Sequence, residues 1–166
     1  MTPKDYLALA DMDQARFRKY REHLVRDYAD DKVRAGTWSA EEADTKSAQD
    51  VDALLPEGTA TRGHFLYSVR DESVLAEVGV LWISEQESGT GRSVWIYDIL
   101  IHEPFRRQGY ARRTLKLVEA KARELGATKV VLHVFGHNQS ARALYENTGY
   151  RPTSIIMSKP ITTADA

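Results

Sequence analysis

A strand, turn and helix between residues 94 and 126 constrain the fold of this chain more than any other segment. Residues 94–101 read VWIYDILI, and the predominance of β-branched, aromatic and aliphatic side chains is typical of a buried strand. Pro104 ends this pattern, because proline has no amide to donate to a sheet. After the basic turn FRRQGYA, a helix is predicted that ends at Gly126. Its apolar face consists of Ala111, Leu115, Val118, Ala122 and Leu125.

The turn that joins this strand to the helix predicts an anion-binding site. The first amides of a helix have no partner within the helix, and the helix dipole places partial positive charge there. Gly109 lets a ligand approach the backbone closely, and Arg106 and Arg107 add positive charge. We infer that the ligand is a phosphate or pyrophosphate, although a basic turn that only caps a surface helix would show the same pattern.

Length, charge and cysteine content narrow the class of protein. The 166 residues are enough for one domain with its own core, spanning residues 1–166. A net charge of −1 gives no reason to expect nucleic acid as a partner. The chain has no cysteine, which excludes disulfides, thiolate nucleophiles and cysteine metal ligands and fits a reducing compartment.

Targeting and metal-binding signals are not found in the sequence. The first residues do not combine a basic region with a long apolar stretch, and no apolar run is long enough to span a bilayer. We therefore expect a cytoplasmic protein with no membrane partner. His64, His102, Glu103 and His137 do not have metal-ligand spacing on one element, so no metal site is predicted.

The order of the remaining segments predicts an α+β (three-layer α/β) fold, in which a mixed, mostly antiparallel sheet carries helices on both faces. Asp13 is expected to cap a first helix whose inward stripe includes Tyr20, and Ser39 with Glu42 forms a capping box for a second. The predicted elements are a strand at 6–10, helices to Gly36 and from Ser39 to Leu55, strands at 64–71 and 74–84, a loose connection at 85–92, the strand at 94–101, the helix after Gly109, a parallel strand at 129–135, a helix at 139–148 and final strand residues at 150–159.

A second segment, LHVFGHNQSARALYENTGY at residues 132–150, carries a resemblance to a known family. Together with the pattern Arg106-x-x-Gly109-x-Ala111, it closely resembles the GNAT superfamily of acyl-CoA-dependent N-acetyltransferases. The resemblance implies the GNAT fold, with residues 64–159 as the CoA-binding core and residues 1–58 as the strand and two helices on the acceptor side. Either motif alone would be a weak signal, but the two occur in the family's order.

The resemblance implies that acetyl-CoA is the acyl donor and that no metal takes part. The residues implied at the pyrophosphate are Arg106, Arg107, Gln108, Gly109, Tyr110 and Ala111, mostly through their amides. Ile99, Leu100 and Ile101 are implied to lie where this strand diverges from the next, so that the pantetheine amides can pair with the free edge. Asn138 is implied to bond the CoA arm, and it would also serve as a plain N-cap.

The catalytic residues are likewise implied by the resemblance. Tyr145 corresponds to the tyrosine that protonates the departing thiolate, although a tyrosine on an amphipathic helix is also an ordinary core residue. His133 stands where related enzymes have a glutamate base, and an imidazole is chemically competent in that role. Asp98, Glu77 and an ordered water are the alternatives for the base, and a structural role for His133 also remains open.

The expected reaction is direct attack by a primary amine on the thioester, without a covalent enzyme intermediate. The acceptor amine is not identified by the sequence, because residues 13–55, which normally select it in this family, carry no recognisable code. Two alternatives are a CoA-binding module without transferase activity and an enzyme that acetylates a protein N-terminus or lysine. A closed pocket between the N-terminal helices and the sheet would favour a small amine. A homodimer is also compatible with the family resemblance.

Overall fold

The computed structural model describes residues 6–162, which form a five-stranded sheet covered by helices on both faces, as predicted. The elements in chain order are β1 (Leu7–Asp11), α1 (Gln14–Arg34), α2 (Ala40–Leu54), β2 (His64–Asp71), β3 (Ala76–Ser88), β4 (Gly91–Ile101), α3 (Tyr110–Glu124), β5 (Lys129–Leu132) and α4 (Gln139–Asn147). The strands lie side by side in chain order, with β1 to β4 antiparallel and β5 parallel to β4. None of the helices within residues 6–162 is both long and apolar enough to cross a membrane.

The two N-terminal helices begin where local sequence chemistry places them. The Arg16 amide donates to the Asp13 side chain over 2.7 Å, which caps α1. The Ser39 amide donates to Glu42 Oε1 over 3.2 Å, as the predicted capping box requires. Tyr20, in the predicted inward stripe of α1, is only 1% exposed. This helix therefore packs tightly against the sheet.

Each face of the sheet has its own apolar core. The core on the α3 and α4 side includes Val69, Val78, Leu81, Ile83, Val94, Ile96, Leu115, Val118 and Tyr145. The core on the α1 and α2 side includes Phe17, Tyr20, Leu24, Val51, Leu66, Val80 and Trp82. Burial on both faces fixes the sheet between two helical layers, which is the three-layer arrangement that the sequence predicted.

The connection between β3 and β4 differs from the prediction. The two strands continue as a ribbon until Ser88 pairs with Gly91, so only Gly89 and Thr90 form the turn. The predicted loose connection at 85–92 is therefore wrong. Polar residues extend the strands here because this ribbon projects into solvent and does not need an apolar face.

The C-terminal part of the sheet also differs from the prediction. β5 ends at Leu132 rather than at residue 135, because its pairing with β4 stops at Ile96, next to an irregularity in the register of β4 against β3. Residues 151–162 form no strand, and Ile155, Ile156 and Met157 are 72%, 95% and 89% exposed. The prediction of a last strand at 150–159 is therefore wrong, because strand propensity is realised only against a partner and the chain turns away at Gly149, whose φ is 98°.

Candidate functional site

A β-bulge in β4 decides which side chains of this strand face each helix layer. The register against β3 shifts between Trp82 and the next residue, which leaves Tyr97 of β4 as the extra residue. After the shift, Ile99 packs with the α3-side core and Leu100 with the α1-side core. Asp98 pairs with Trp82, a member of the α1-side core, so the bulge places this carboxyl group beneath α1.

The same bulge coincides with the point where β4 and β5 separate. The last pair between these strands joins Ile96 to Leu132, one residue before the bulge. Residues 99–101 of β4 pair with β3 on one side, whereas no strand of residues 6–162 pairs with them on the other. The structure therefore contains the open strand edge that the family resemblance implied at Ile99, Leu100 and Ile101.

The turn before α3 has the backbone geometry of an anion-binding loop. Gly109 is the N-cap of α3 with a φ of 82°, and Arg107 also has a positive φ of 61°. The Arg113 amide bonds the Gly109 carbonyl over 3.1 Å and so begins the hydrogen bonding of the helix. The amides before Arg113 therefore face out of the helix end, where the dipole favours negative charge.

Two side chains of the turn fix its shape by bonding to the backbone. Arg106 Nε donates to the Ile101 carbonyl over 2.9 Å, and Gln108 Nε2 donates to the Pro104 carbonyl over the same distance. These bonds tie the turn to the end of β4. Arg106, Arg107, Gln108 and Gly109 are all exposed, so a ligand can reach their backbone.

Tyr110 anchors the start of α3 in the protein interior. Its side chain is 7% exposed, and its hydroxyl donates to Asp71 Oδ2 over 2.9 Å. Arg113 lies 3.6 Å from the same carboxylate. Hydrogen bonds from Ser73 lower the pKa of Asp71 despite its burial, so the carboxylate is ionised and holds the helix start to the end of β2. The side chain of Tyr110 is therefore structural, and its amide is the part that lies at the turn.

Asn138 and Tyr145 occupy the beginning and the last turns of α4. Asn138 Oδ1 accepts from the Ala141 amide over 3.1 Å, which makes it the N-cap of this helix. Tyr145 is 9% exposed and lies in the α3-side core, 5.6 Å from the ring of Tyr150. Burial, together with the negative charge of Asp98, raises the pKa of Tyr145 to about 12. The hydroxyl therefore stays protonated at neutral pH and is electrostatically coupled to Asp98.

Asp98 is an ionisable group in an apolar environment. The Tyr20 hydroxyl donates to Asp98 Oδ2 over 2.8 Å. Burial raises the pKa of Asp98 to about 6, although the hydrogen bond from Tyr20 acts in the opposite direction. A carboxylate of this kind is a far better proton acceptor at neutral pH than an ordinary surface aspartate.

Glu77 of β3 is the centre of a second polar cluster on the same face. Its Oε1 lies 2.6 Å from Arg16 Nη2 and 2.8 Å from His102 Nε2, and its Oε2 accepts from Ser68 over 2.6 Å. Burial opposes ionisation, but the bonds from Arg16, Ser68 and His102 outweigh it and lower the pKa of Glu77 to about 2. This carboxylate is therefore fully engaged and a weak base.

His133 follows the end of β5 and is exposed. Because β5 ends at Leu132, His133 lies outside the strand that the sequence predicted at 129–135. The His133 ring instead packs against the Phe135 ring in an edge-to-face arrangement, with the ring centroids 4.9 Å apart. Farther along the same loop, His137 Nε2 lies 2.8 Å from Asp31 Oδ1, which ties the loop to the end of α1.

A cavity lies between α1 and the end of β4, next to Asp98. Its volume is about 160 Å³. The lining residues are Arg16, Lys19, Tyr20, His23, Val80, Leu100 and His102. A larger cavity of about 380 Å³ lies between α3, the start of β5 and residues 148–151, and neither Asp98 nor the turn before α3 lines it. In the described part of the chain, no cluster of three or more His, Asp or Glu side chains is arranged to hold a metal ion.

Sequence reasoning missed the contributions of Tyr20, Arg16 and His102. Tyr20 was correctly placed on the buried stripe of α1, but its partner Asp98 is 78 positions away. Arg16 reaches Glu77 across 61 positions in the same manner. Only the register of β4 and the position of α1 reveal these contacts, and neither follows from local patterns.

Comparison with known proteins gives consistent matches across nearly the whole chain. The family model described as "Acetyltransferase (GNAT) family" matches residues 13–150. The chain is 40% identical over 156 residues to the uncharacterized N-acetyltransferase YycN of Bacillus subtilis (strain 168), a match that covers 93% of this chain and 99% of YycN. It is 33% identical over 153 residues to the uncharacterized N-acetyltransferase YdgE of the same organism, covering 92% of this chain and 97% of YdgE.

Solved structures agree with these sequence matches. The crystal structure of YycN from Bacillus subtilis superposes with a TM-score of 0.88 and covers 95% of this chain and 99% of that one. The structure of AAC(6')-Iy in complex with the bisubstrate analogue CoA-S-monomethyl-acetylneamine superposes with a TM-score of 0.60 at 12% identity, covering 95% of this chain and 99% of that one. The second match is a likeness of fold alone.

Proposed function

Because the chain belongs to the GNAT family of acetyltransferases, we propose that it transfers the acetyl group of acetyl-CoA to the nitrogen of a small primary amine. One observation carries this proposal: the open edge of β4 at residues 99–101 leads into the anion-binding turn, next to Asp98, whose charge raises the pKa of Tyr145. The turn can hold a diphosphate, the open edge can hold an amide-containing arm, and the two side chains can move protons.

The cofactor site follows from the backbone of two adjacent elements. The amides of residues 107–111 would bind the pyrophosphate of CoA, since the Arg106 amide already bonds the Glu103 carbonyl over 3.2 Å, and the unpaired edge at residues 99–101 would pair with the pantetheine amides as an added strand does. Asn138 would bond the CoA arm through the side-chain groups that its capping bond leaves available. A bound thioester would then lie between Tyr145 on one side and Asp98 on the other.

Asp98 is the base that the geometry favours among those named from the sequence. Glu77 is engaged by three side chains and has a pKa of about 2, so it holds a proton poorly. His133 is exposed beyond the end of β5, and its assignment as the base stays a prediction. Asp98 lies at the bulge beneath α1, with a pKa of about 6 that suits a base acting near neutral pH.

The proposed reaction moves two protons in a coupled manner. The amine nitrogen attacks the thioester carbon, a nitrogen–carbon bond forms, and the carbon–sulfur bond breaks to release the thiolate. Asp98 accepts the proton from the nitrogen once attack has made it positively charged, and Tyr145 donates its proton to the thiolate. Neutralising Asp98 removes a charge that raises the pKa of Tyr145, so donation becomes easier at that step. Exchange with solvent then restores both groups.

The size of the acceptor cavity favours a small molecule over a protein. The cavity between α1 and the end of β4 is partly open to solvent and has a volume of only about 160 Å³. This small volume supports a small acceptor, although it is not the closed pocket that would favour a small amine most strongly.

Calorimetric titration with acetyl-CoA and CoA, followed by thiol release with a panel of primary amines, tests this proposal. Gly109→Asp should abolish binding, because it puts a carboxylate at the anion site and a side chain at a φ of 82°. Arg123→Glu changes charge at the exposed other end of α3 and is the matched control. Tyr145→Phe should bind CoA normally and lower the transfer rate by about 100-fold. Failure of the unaltered protein to bind CoA would refute the transferase assignment.

A further inference from the structure

The cavity beneath α1 has an unusual distribution of charge for a site that receives an amine. Apart from Tyr20, all the ionisable side chains on its wall are basic, namely Arg16, Lys19, His23 and His102. The remaining lining residues are Tyr20, Val80 and Leu100. An amine alone would gain nothing from such a wall, because like charges in a partly buried site repel.

Glu77 holds two of these basic groups in fixed positions. Its carboxylate bonds Nε and Nη2 of Arg16 at 3.1 and 2.6 Å, and His102 Nε2 at 2.8 Å. This arrangement directs Arg16 Nη1 and His102 Nδ1 away from Glu77, since those atoms take no part in the bonds to it. Arg16 and Glu77 have side chains only 27% and 21% exposed, so this pair is ordered before any ligand binds.

Lys19 supplies a positive charge that Glu77 does not cancel. It lies on the same face of α1 as Arg16, Tyr20 and His23, because these residues follow helical spacing. His23 is paired with Asp27 over 2.9 Å, which leaves the charge of Lys19 as the less compensated one on this wall. The charge of Lys19 is therefore the one on this wall that is available to a ligand.

A carboxylate lies behind the Tyr20 part of the cavity wall, although it does not itself line the cavity. Tyr20 bonds Asp98 over 2.8 Å, and Arg16 precedes Tyr20 by one turn of α1. A molecule in the cavity would thus contact the guanidinium of Arg16 on one part of the wall and lie near the Tyr20–Asp98 pair on another.

We propose that the acceptor is a small amine that itself carries an anionic group, a carboxylate or a phosphate, separated from the nitrogen by a few bonds. The amine nitrogen would face Asp98, and the anionic group would bind Arg16 Nη1, Lys19 Nζ and His102 Nδ1. This inference rests on the proposed function, since the amine is the group that is acetylated. The apolar walls from Val80 and Leu100 would contact the short linker between the two groups.

Binding is tested on the complex with CoA, which cannot transfer an acetyl group. Isothermal titrations compare β-alanine with propylamine, O-phosphoethanolamine with ethanolamine, and 1,3-diaminopropane as a dication. At least one of the two amines that carry an anionic group should bind about tenfold more tightly than its counterpart without that group. The two anionic probes also tell a carboxylate site from a phosphate site. Equal binding within both pairs, tightest binding of the dication, or no binding of any probe would overturn the proposal.

Variants of α1 tie the selectivity to the cavity. Lys19→Gln should weaken binding of the preferred anion-bearing amine about fivefold and reduce its advantage over the counterpart without the anionic group. Arg18→Gln removes the same charge from an exposed neighbouring position outside the cavity lining and should leave the selectivity intact. If both variants reduced the selectivity equally, the proposed anion site in the cavity would be refuted, because the selectivity would then depend only on the total charge of α1.

Transfer measured with acetyl-CoA separates this proposal from the one on which it rests. If the anionic amine binds selectively and is also acetylated fastest, both proposals stand. If it binds selectively but no amine is acetylated, the anion-recognising cavity stands and the transferase assignment fails. If an amine without an anionic group is acetylated fastest, the transferase assignment stands and the proposal of an anion-bearing acceptor is refuted.

Discussion

At Asp98, two opposing influences act on one carboxyl group. Burial raises its pKa to about 6, and the hydrogen bond from Tyr20 lowers it. Tyr20 is therefore a positioning residue, which orients Oδ2 of the carboxylate and adjusts its basicity. Two residues of α1 also act on the pKa of Asp98: Asp27 raises it and His23 lowers it. The charge of Asp98 in turn raises the pKa of Tyr145 in α4.

Tyr20→Phe should raise the pKa of Asp98 above that of the unaltered protein, because it removes a bond to the charged form while leaving the burial in place. The measurement is a pH titration of the carboxyl carbon of Asp98 by NMR, with the acidic limb of the rate profile as a second readout. Both should move to higher pH. Tyr28→Phe, on the same helix but packed against Trp38 at 5.4 Å, is the control. An unchanged titration in Tyr20→Phe would remove Tyr20 from this role.

Asp98→Asn should raise the free energy of unfolding and lower the transfer rate. The folded-state pKa of about 6 lies above the unfolded value, so ionised Asp98 destabilises the native state at pH 7. This penalty is full above pH 6 and shrinks as the pH falls from about 6 toward the unfolded pKa of about 4, because the native carboxyl takes up a proton before the unfolded one does. The variant should gain up to about 2 kcal/mol in free energy of unfolding at pH 7 and less at pH 5, while its transfer rate falls.

Denaturant unfolding at both pH values checks the stability arm of this prediction. Asp50→Asn, at an exposed position of α2, serves as the control and should change neither quantity. A variant less stable than the unaltered protein at pH 7 would show that Asp98 is held mainly by favourable contacts.

At the scale of elements, the closeness of β3 and β4 near the site depends on Gly79. A Cβ at this position would lie 2.3 Å from the Leu100 carbonyl oxygen and 3.2 Å from the Ile101 Cα. Backbone atoms cannot rotate away as a side chain can. The glycine therefore lets β4 run close to β3 just where residues 99–101 present their open edge.

Gly79→Ala should lower the free energy of unfolding by about 2–3 kcal/mol and weaken CoA binding, because the two strands must move apart. Gly89→Ala in the turn between the same strands meets nothing within 4 Å and should be nearly neutral. Thermal unfolding and CoA titration of both variants give the comparison. Equal stability of the two would mean that β4 can shift without cost.

The sequence predicted elements well where the determining contacts are local. The start of α3 at Gly109 and the caps at Asp13 and Ser39 follow from residues within a few positions of one another. The end of β5 was mispredicted because it depends on the bulge at Tyr97 in another strand. The hydrogen bond between Tyr20 and Asp98 could not be predicted either, because it depends on how α1 packs on the sheet.

At the scale of the whole molecule, Glu77 joins the acceptor-side helix to the sheet. It bonds Arg16 of α1, Ser68 of β2 and His102 just after β4, so three parts of the chain meet at one carboxylate. Breaking such a network leaves a partly buried guanidinium without its counter-charge, which is costly. The stability of the α1 layer and the shape of the acceptor cavity therefore depend on the same residue.

Glu77→Gln should lower the free energy of unfolding at pH 7 by about 2–3 kcal/mol. The folded pKa of about 2 lies below the unfolded value, so the stabilising effect is present above pH 4.5 and is lost as the pH falls toward 2. The difference between the variant and the unaltered protein should therefore shrink at pH 3, as measured by denaturant unfolding at both pH values. Glu72→Gln, whose side chain is 54% exposed, should show no such pH dependence. A constant difference between pH 7 and pH 3 would mean that Glu77 stabilises the fold through packing, and that its charge does not hold α1 on the sheet.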